Sequence, residues 1–509
     1  MELLFLLALL STLAIAFISK IIKPDQQETR RKLPPGPKPW PIIGNLHLLG
    51  PIPHQSLHHL SQKYGEIMLL KLGKSPVVVA SSPKMAEQFL KVHDAAFASR
   101  PPLAAGKHMS YNNSDVSFSP YGPYWREARK IFMSELLSTK KLEDLEHIRV
   151  EERLLLLSRM QSLSGKPVVL RDHLSRYTLS MICRMVITDK YFSESEEERF
   201  VVDMRALQGM MSEWFLLSGA FNVGDWIPWL DRLDLQGYIK RMKILRAKAD
   251  KFYGYVIDDH LARRAAGKKY AMNDLVDVLL QVHEDPNAEV EITRDGVKAL
   301  TMNVLLGGTD SSTTTMQWAM HEILRKPEIV ERAKEELDRV IGRNRWVEEN
   351  DFTQLPYIDA IIMETLRLHP NATLLAPHYA IKDCNVAGYD ISKGTTVFIN
   401  AWSIGRDPNS WDAAEEFLPE RFVGKQFDMT GGNFSLLPFG SGRRRCPGYN
   451  LGLRIVRATL SNLLHGFEIK LVEGMKAGDI CMDEKYGLTT NPKHPLTIVM
   501  KPTLPHHLY

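Results

Sequence analysis

The hydrophobic pattern divides this chain into a short apolar head, a long helical body and scattered β segments. Leu3 to Ser19 is an uncharged, largely apolar run that Ile21 and Ile22 extend past Lys20. Its length is at the short end of the roughly 17–25 residues that span a bilayer. A cleaved signal peptide is the competing reading, but Glu2 stands where Lys or Arg belongs and no clear small-x-small site follows. From about 140 to 290 helical periodicity dominates, with an apolar helix between Asn273 and Pro286. Thr293 can cap a helix that continues to about Arg325, on the order of 45 Å long. The stretch A-I-I-M-E-T-L-R-L-H-P, 360–370, reads as a helix apolar on nearly every side. Tyr449 to His465 reads as a buried helix ending at Gly466. M-L-L-K-L-G and V-V-V-A form a hairpin around Gly73, G-Y-D-I-S-K-G-T-T-V-F-I-N (388–400) a second, and Pro495 to Val499 the last strand.

Charge and composition narrow the picture. With a net charge of +4 and no basic tract interleaved with aromatics beyond the one flanking the apolar head, nucleic acid is set aside. The four cysteines show no C-x-x-C pair or metal-ligand spacing, which suggests a reducing compartment. Lys20, Lys23, Arg30, Arg31 and Lys32 follow the apolar run, and the positive-inside rule places them on the cytoplasmic side. The head therefore reads as a retained anchor with the rest of the chain in the cytosol. L-P-P-G-P-K-P-W-P, 33–41, is a stiff extended connector, because proline fixes φ and removes N–H donors. Length alone, 509 residues, suggests two or three domains.

Three stretches carry candidate chemistry. P-F-G-S-G-R-R-R-C-P-G, 438–448, places Cys446 among glycines and arginines just before a helix N-terminus. First-turn N–H groups and nearby guanidinium groups favour a thiolate there, and glycines admit a flat ligand, so Cys446 is a candidate axial ligand for haem iron. A buried structural cysteine is the plain alternative. Inside the 293–325 helix, Gly307-Gly308 costs roughly 1 kcal/mol per glycine, and the polar run Thr309 to Thr315 has no obvious face. Local rules broken inside a buried element point to a site, where hydroxyls bonded to i−4 carbonyls tolerate a bulge; a kink or a merely Ser/Thr-rich helix is the alternative. Trp125 and Arg129, four apart, share a helical face and could bind a carboxylate, or be a core Trp beside a solvated Arg. Glu364 and Arg367 form an i,i+3 pair on the apolar helix, so the pair is buried and needs full satisfaction.

Phe439, Gly442, Arg444, Cys446 and Gly448 match the F-x-x-G-x-R-x-C-x-G haem loop of the cytochrome P-450 monooxygenases, and the chain resembles that family almost throughout. The likeness includes W-x-x-x-R at Trp125 and Arg129, Gly307-Gly308 with Asp310, Ser311 and Ser312, and E-x-x-R with P-x-R-F at Glu364, Arg367 and Arg421. P-Y-G-P-Y-W-R and W-S-I-G-R-D-P are similar to the plant A-type branch, which includes flavonoid and other phenolic hydroxylases. The resemblance implies a mainly α fold with a small β region: an anchor at 1–22, a basic and proline-rich hinge at 23–41, and one catalytic domain at 42–509. It implies haem b on the Cys446 thiolate, with Trp125, Arg129, His378 and Arg444 around the haem carboxylates and Glu364, Arg367 and Arg421 bracing the loop. Asp310 and Ser311 become the acid–alcohol pair that delivers protons to dioxygen, with Ser where the family usually has Thr. The implied partners are NADPH–cytochrome P-450 reductase, cytochrome b5 and a small hydrophobic substrate, at the endoplasmic reticulum membrane with the domain facing the cytosol. Pocket walls by family position are Tyr111–Phe118, Leu207–Phe215, Asn303–Thr309, Thr373–Leu375 and Leu488–Thr490. They suit a phenolic, flavonoid or lignan, hydroxylated or closed to a methylenedioxy ring, with terpenoids open. A haem-thiolate isomerase or dehydratase, or a non-enzymatic haem-binding membrane protein, are the rival classes.

Overall fold

A computed structural model describes residues 31–188, 192–193, 202–266, 274–425, 428–429 and 431–509. The expected anchor at 1–22 lies outside the described residues, among which no helix is long and apolar enough to cross a membrane.

Helices build the body, with β structure confined to small sheets, as expected. Five helices position the site: α1 Pro123–Glu135, α2 Leu170–Ile187, α3 Arg294–Arg325, α4 Pro356–Leu368 and α5 Tyr449–Gly466. The long α3 starts where its cap dictates: Thr293 Oγ1 accepts from Gly296 N–H at 3.1 Å. Buried residues occupy nearly all its faces, the mark of a central helix. It packs against α2, α4 and α5. Gly308 makes the α2 contact possible, since a Cβ there would come within 2.6 Å of Ile182 Cδ1. The helix stays α-helical through its glycines and hydroxyls, so the bulge that the sequence allowed is not formed.

The main sheet runs β1 Ile67–Leu72, β2 Ser75–Ala80, with β3 His378–Tyr379 and later strands returning to it. The first hairpin turns around Gly73 as expected, with Leu72 opposite Ser75. The second expected hairpin, 388–400, is not one. β4 Cys384–Val386 and β5 Tyr389–Ile391 pair with each other through a tight turn at Ala387-Gly388, both at positive φ. β6 Thr396–Ile399 leaves to lie parallel to β2 and antiparallel to β3. All four β6 residues are buried, and such a strand needs a partner on each side, which a lone hairpin cannot supply. β7 Phe467–Leu471 pairs with β8 Thr497–Pro502, which extends the expected last strand by three residues past Val499.

The proline-rich stretch is extended, as its prolines require, and it is docked. Leu69 N–H donates to Pro35 O at 2.8 Å, and a Cβ on Gly36 would strike Leu69 O at 1.9 Å. Asn45, buried, holds the Pro37 and Lys38 carbonyls from beneath, each at 3.3 Å.

One buried node joins the sheet region to the expected pocket walls. Glu484 accepts from Gln55 Nε2 at 2.7 Å and Trp402 Nε1 at 3.1 Å, and stands 2.7 Å from His54 Nε2. The other His54 nitrogen meets Thr373 Oγ1 at 3.1 Å, which in turn meets Thr490 Oγ1 at 3.2 Å. Burial opposes ionisation of Glu484, but His54, His369 and Arg406 outweigh it and hold the carboxyl down to about 2. A depressed carboxyl contributes stability above its unfolded pKa of about 4.5, lost as pH falls toward 2. At 1.36 kcal/mol per pKa unit, Glu484→Gln should cost about 3 kcal/mol at neutral pH and flatten the acid limb of stability between pH 4.5 and 2. Denaturant midpoints measured across that range test this; a variant whose acid limb parallels the wild type rules it out.

Candidate active site

The sulfur is presented by a loop that only glycine can form. Gly442 has φ of 67°, and a Cβ on it would lie 2.2 Å from Leu90 O. Arg443 anchors the outer side through Asp94 at 2.6 Å, while Cys446 N–H donates to Phe439 O at 2.9 Å. Burial pushes the Cys446 thiol up, and the Gly448 N–H, Arg129 and Arg445 pull it down by less. This corrects the expectation from sequence: the loop's donors act in the foreseen direction, but desolvation wins. A coordinating metal deprotonates a thiol outright, so bound haem iron would supply the ionisation that the loop alone does not.

The expected Glu364–Arg367–Arg421 network is complete, and it ties α4 to the 405–418 segment. Arg367 donates to Glu364 twice, Nε at 2.6 Å and Nη2 at 2.7 Å, and Arg421 Nε joins the same carboxylate at 2.9 Å. The remaining Arg367 donors reach Gly405 O, Ala414 O and Glu416 O at 2.5, 2.6 and 2.8 Å. Glu364 and Arg367 are sealed from water.

A cavity of about 330 Å³ lies between this loop and α3. Trp125, Arg129, His378, Arg444, Cys446 and Ser311, all singled out from sequence, line it. Arg444 donates to Ala98 O, Val116 O and Ser119 O, and stacks 4.4 Å over the Trp125 ring, whose Nε1 also donates to Val116 O. Arg129 Nη2 donates to Arg445 O at 2.8 Å. Sequence reasoning missed Arg100, which lines the same cavity and donates to Ser117 O, Ala376 O and Pro377 O. Burial depresses Arg444, Arg100 and His378. Arg444 falls to about 8, by burial and then Arg100, and His378 to about 3 by the same two causes. Arg100 falls to about 10 by burial, with Asp115 opposing. His378 Nδ1 meets Phe97 O at 3.0 Å.

On the α3 wall four hydroxyls bond back to i−4 carbonyls, as expected: Thr309 to Leu305 O, Ser311 to Gly307 O, Thr313 to Thr309 O and Thr315 to Ser311 O. Asn371, from the loop after α4, clamps this turn by donating to Ser311 O at 3.0 Å and Thr315 Oγ1 at 2.9 Å. Asp310 is not on the wall. One residue from Ser311 it is turned about 100° around the helix. It is held by Thr489 Oγ1, which donates to Oδ2, and by Arg171 at 3.5 Å. Thr489 itself lines the cavity, so the acid's nearest hydroxyl there is Thr489 rather than Ser311. Nothing in the sequence marked Asn371, and Thr489 was expected in a pocket wall but not as the partner of Asp310; both come from loops that meet α3 only in the folded chain. Each expected pocket wall contributes at least one lining residue, among them Val116, Phe215, Asn303, Leu375 and Leu488.

These residues fit a haem. A Cβ on Gly307, Gly448 or Gly452 would meet nothing within 4 Å, although all three line the cavity, so at these positions both facing walls leave open space. Three guanidinium groups bonded to backbone carbonyls at one edge form a donor set for carboxylates, and a sulfur lies in the opposite wall.

A family model described as "Cytochrome P450" matches residues 34–499. The trimethyltridecatetraene synthase of Zea mays is 43% identical over 99% of this chain and 94% of its own length. The flavonoid 3'-monooxygenase of Petunia hybrida is 42% identical over 94% of this chain and 93% of its own. Among solved structures, a zebra fish cytochrome P450 with progesterone superposes with a TM-score of 0.76 at 25% identity, covering 88% of this chain and 99% of that one.

Proposed function

The chain belongs to the cytochrome P450 family, as an oxygen-incorporating oxidoreductase that carries haem on a cysteine thiolate. From that premise we propose that it oxidises a bulky hydrophobic plant metabolite, a phenolic, flavonoid or lignan first, with NADPH, dioxygen and a membrane-bound reductase. Hydroxylation and ring closure to a methylenedioxy bridge both suit the site. The observation that carries this reading is the composition of one cavity: the Cys446 loop and the Gly307–Ser311 groove face a space whose apolar lining includes Val116, Phe215, Val304, Leu375 and Leu488, with Asn303 and Thr489 as polar groups among them. Oxygen incorporation sets aside the isomerase and the non-enzymatic readings. An acyclic terpenoid is the second reading, supported by the maize synthase being as similar as the petunia enzyme. The single-pass anchor at 1–22, the hinge, cytochrome b5 and the endoplasmic reticulum belong to the same proposal.

Cys446 would hold haem at its iron and Arg100, Arg129, Arg444, Trp125 and His378 would hold it at its carboxylates; when bound, it would supply the electron-rich iron chemistry that cleaves dioxygen. The chain's own part is protons, positioning and exclusion of water. Ser311 Oγ donates to Gly307 O and keeps its lone pairs for a proton donor at the groove. Asp310 connects the half-solvated Arg171 to Thr489, which carries the acid's reach to the cavity. Asn371 fixes the carbonyl of Ser311 and so the pitch of that turn. Haem-loaded Ser311→Ala and Thr489→Val should keep their spectra while severalfold more NADPH-derived electrons end as peroxide. Ser311→Thr, whose methyl restrains the hydroxyl, should lose fewer. Peroxide formed per NADPH consumed measures this, and equal ratios in all four proteins would refute the relay. Incubation of the reconstituted enzyme with phenolic and terpenoid panels, with and without oxygen, tests the substrate class.

A further inference from the structure

Asn303, Gly307 and Ser311 stand four apart on α3, and all three line the cavity. Eight residues of helix place Asn303 about 12 Å from Ser311 along the axis. Between them Gly307 contributes no side chain, so the groove is continuous from the amide to the proton-delivering hydroxyl.

The amide is locked in one orientation. Asn303 Nδ2 donates to Ser117 Oγ at 2.8 Å and reaches 3.4 Å toward Asp115 Oδ2. Asp115 is itself fixed: it is 1% exposed, and its Oδ1 accepts from Phe118 N–H at 2.7 Å. Burial raises its carboxyl to about 6, against the pull of the Phe118 N–H, of Ser110 and of Arg444 and Arg100, so near pH 7 it is mostly a carboxylate. A flipped amide would set Asn303 Oδ1 against a carboxylate oxygen, two acceptors with no proton between them. Nδ2 is therefore committed to the loop, and Oδ1 makes no hydrogen bond to any described residue. An acceptor with a fixed direction stands beside the apolar side chains of Val116, Val304, Phe215 and Leu488.

We infer that Asn303 reads a hydroxyl donor on the substrate, about 12 Å along the groove from Ser311, at whose end of the cavity the substrate is oxidised. This rests on the proposed monooxygenase reading and deepens it. The substrate is an elongated molecule with a phenol or alcohol at one end and the oxidised position at the other. A ligand that can only accept, such as a methyl ether, leaves the Asn303 carbonyl desolvated and unpaired, and a site built to bond a hydroxyl rejects such an analogue.

The experiment titrates the ferric holoenzyme with two ligand pairs, 7-hydroxyflavone with 7-methoxyflavone and farnesol with its methyl ether, and reads dissociation constants from the shift of the haem band. The wild type should bind the hydroxyl member of at least one pair about tenfold more tightly. Asn303→Leu should erase that preference while still binding the ether. Asn303→Ala repeats the test with a smaller side chain should the leucine variant fail to load haem. A preference confined to the farnesol pair and lost in the variants upholds the hydroxyl reader and refutes the phenolic reading. Flavones bound without preference, and no preference within the farnesol pair, overturn the reader and leave the phenolic reading standing. Preference that survives both variants, or a spectrum that neither pair moves, overturns the inference.

Discussion

Glu364→Ala is expected to leave no folded, haem-loaded enzyme. The carboxylate answers four donors at once, two from Arg367, one from Arg421 and the Leu418 N–H at 2.7 Å. Its removal strands a guanidinium that has no access to water. Breaking a buried pair by deleting one partner costs about 3–5 kcal/mol, against a total stability of roughly 5–15. Arg367→Lys should fare nearly as badly despite keeping the charge. All five Arg367 donors are used, on Glu364, Gly405, Ala414 and Glu416, and an ammonium offers three donors without the planar fork. The brace touches no substrate, so the readout is unfolding free energy and haem content. Either variant within about 1 kcal/mol of the wild type would mean that the brace is ornamental.

What the sequence revealed, and what it hid, divides along one line. Elements whose evidence is local were legible. The cap at Thr293, the end of α5 at Gly466 and the turn at Gly73 each depend on residues a few positions apart. The haem loop and its brace were legible as motifs, because their fixed spacing reflects one rigid geometry. Features that depend on who else arrives were not. Residues 388–400 alternate as a hairpin would, but β6 is claimed by β2, more than 300 residues away in sequence. Arg100 precedes two prolines in an unremarkable loop, and only the fold turns it toward Arg444. Thr489 and Asn371 acquire meaning from contact with α3. The thiol of Cys446 is the sharpest case. The charges beside it can be counted from the sequence, whereas the desolvation that outweighs them belongs to the folded loop.

Cys446→Ala should abolish oxygenation while sparing the fold, and that contrast with Glu364→Ala separates ligand from scaffold. The loop's shape is set by Gly442, by the Arg443–Asp94 pair and by the backbone bond from residue 446 to Phe439 O. None of these uses the sulfur. Thiolate ligation is what pushes electron density toward O–O cleavage, and alanine supplies no ligand atom. The reduced, carbon monoxide-treated variant should therefore lack the long-wavelength Soret band of sulfur-anion ligation, and NADPH-dependent product should fall to background. Its unfolding free energy should stay close to that of wild-type apoprotein, because replacing a half-buried thiol by a methyl group removes little surface and no essential hydrogen bond. Cys446→Ser, with a hydroxyl in place of the sulfur, should behave as the alanine variant does in spectrum and turnover. A variant that kept the thiolate band would place the iron ligand on another cysteine, 183, 384 or 481. The cavity between α3 and the 438–448 loop would then have to be read anew.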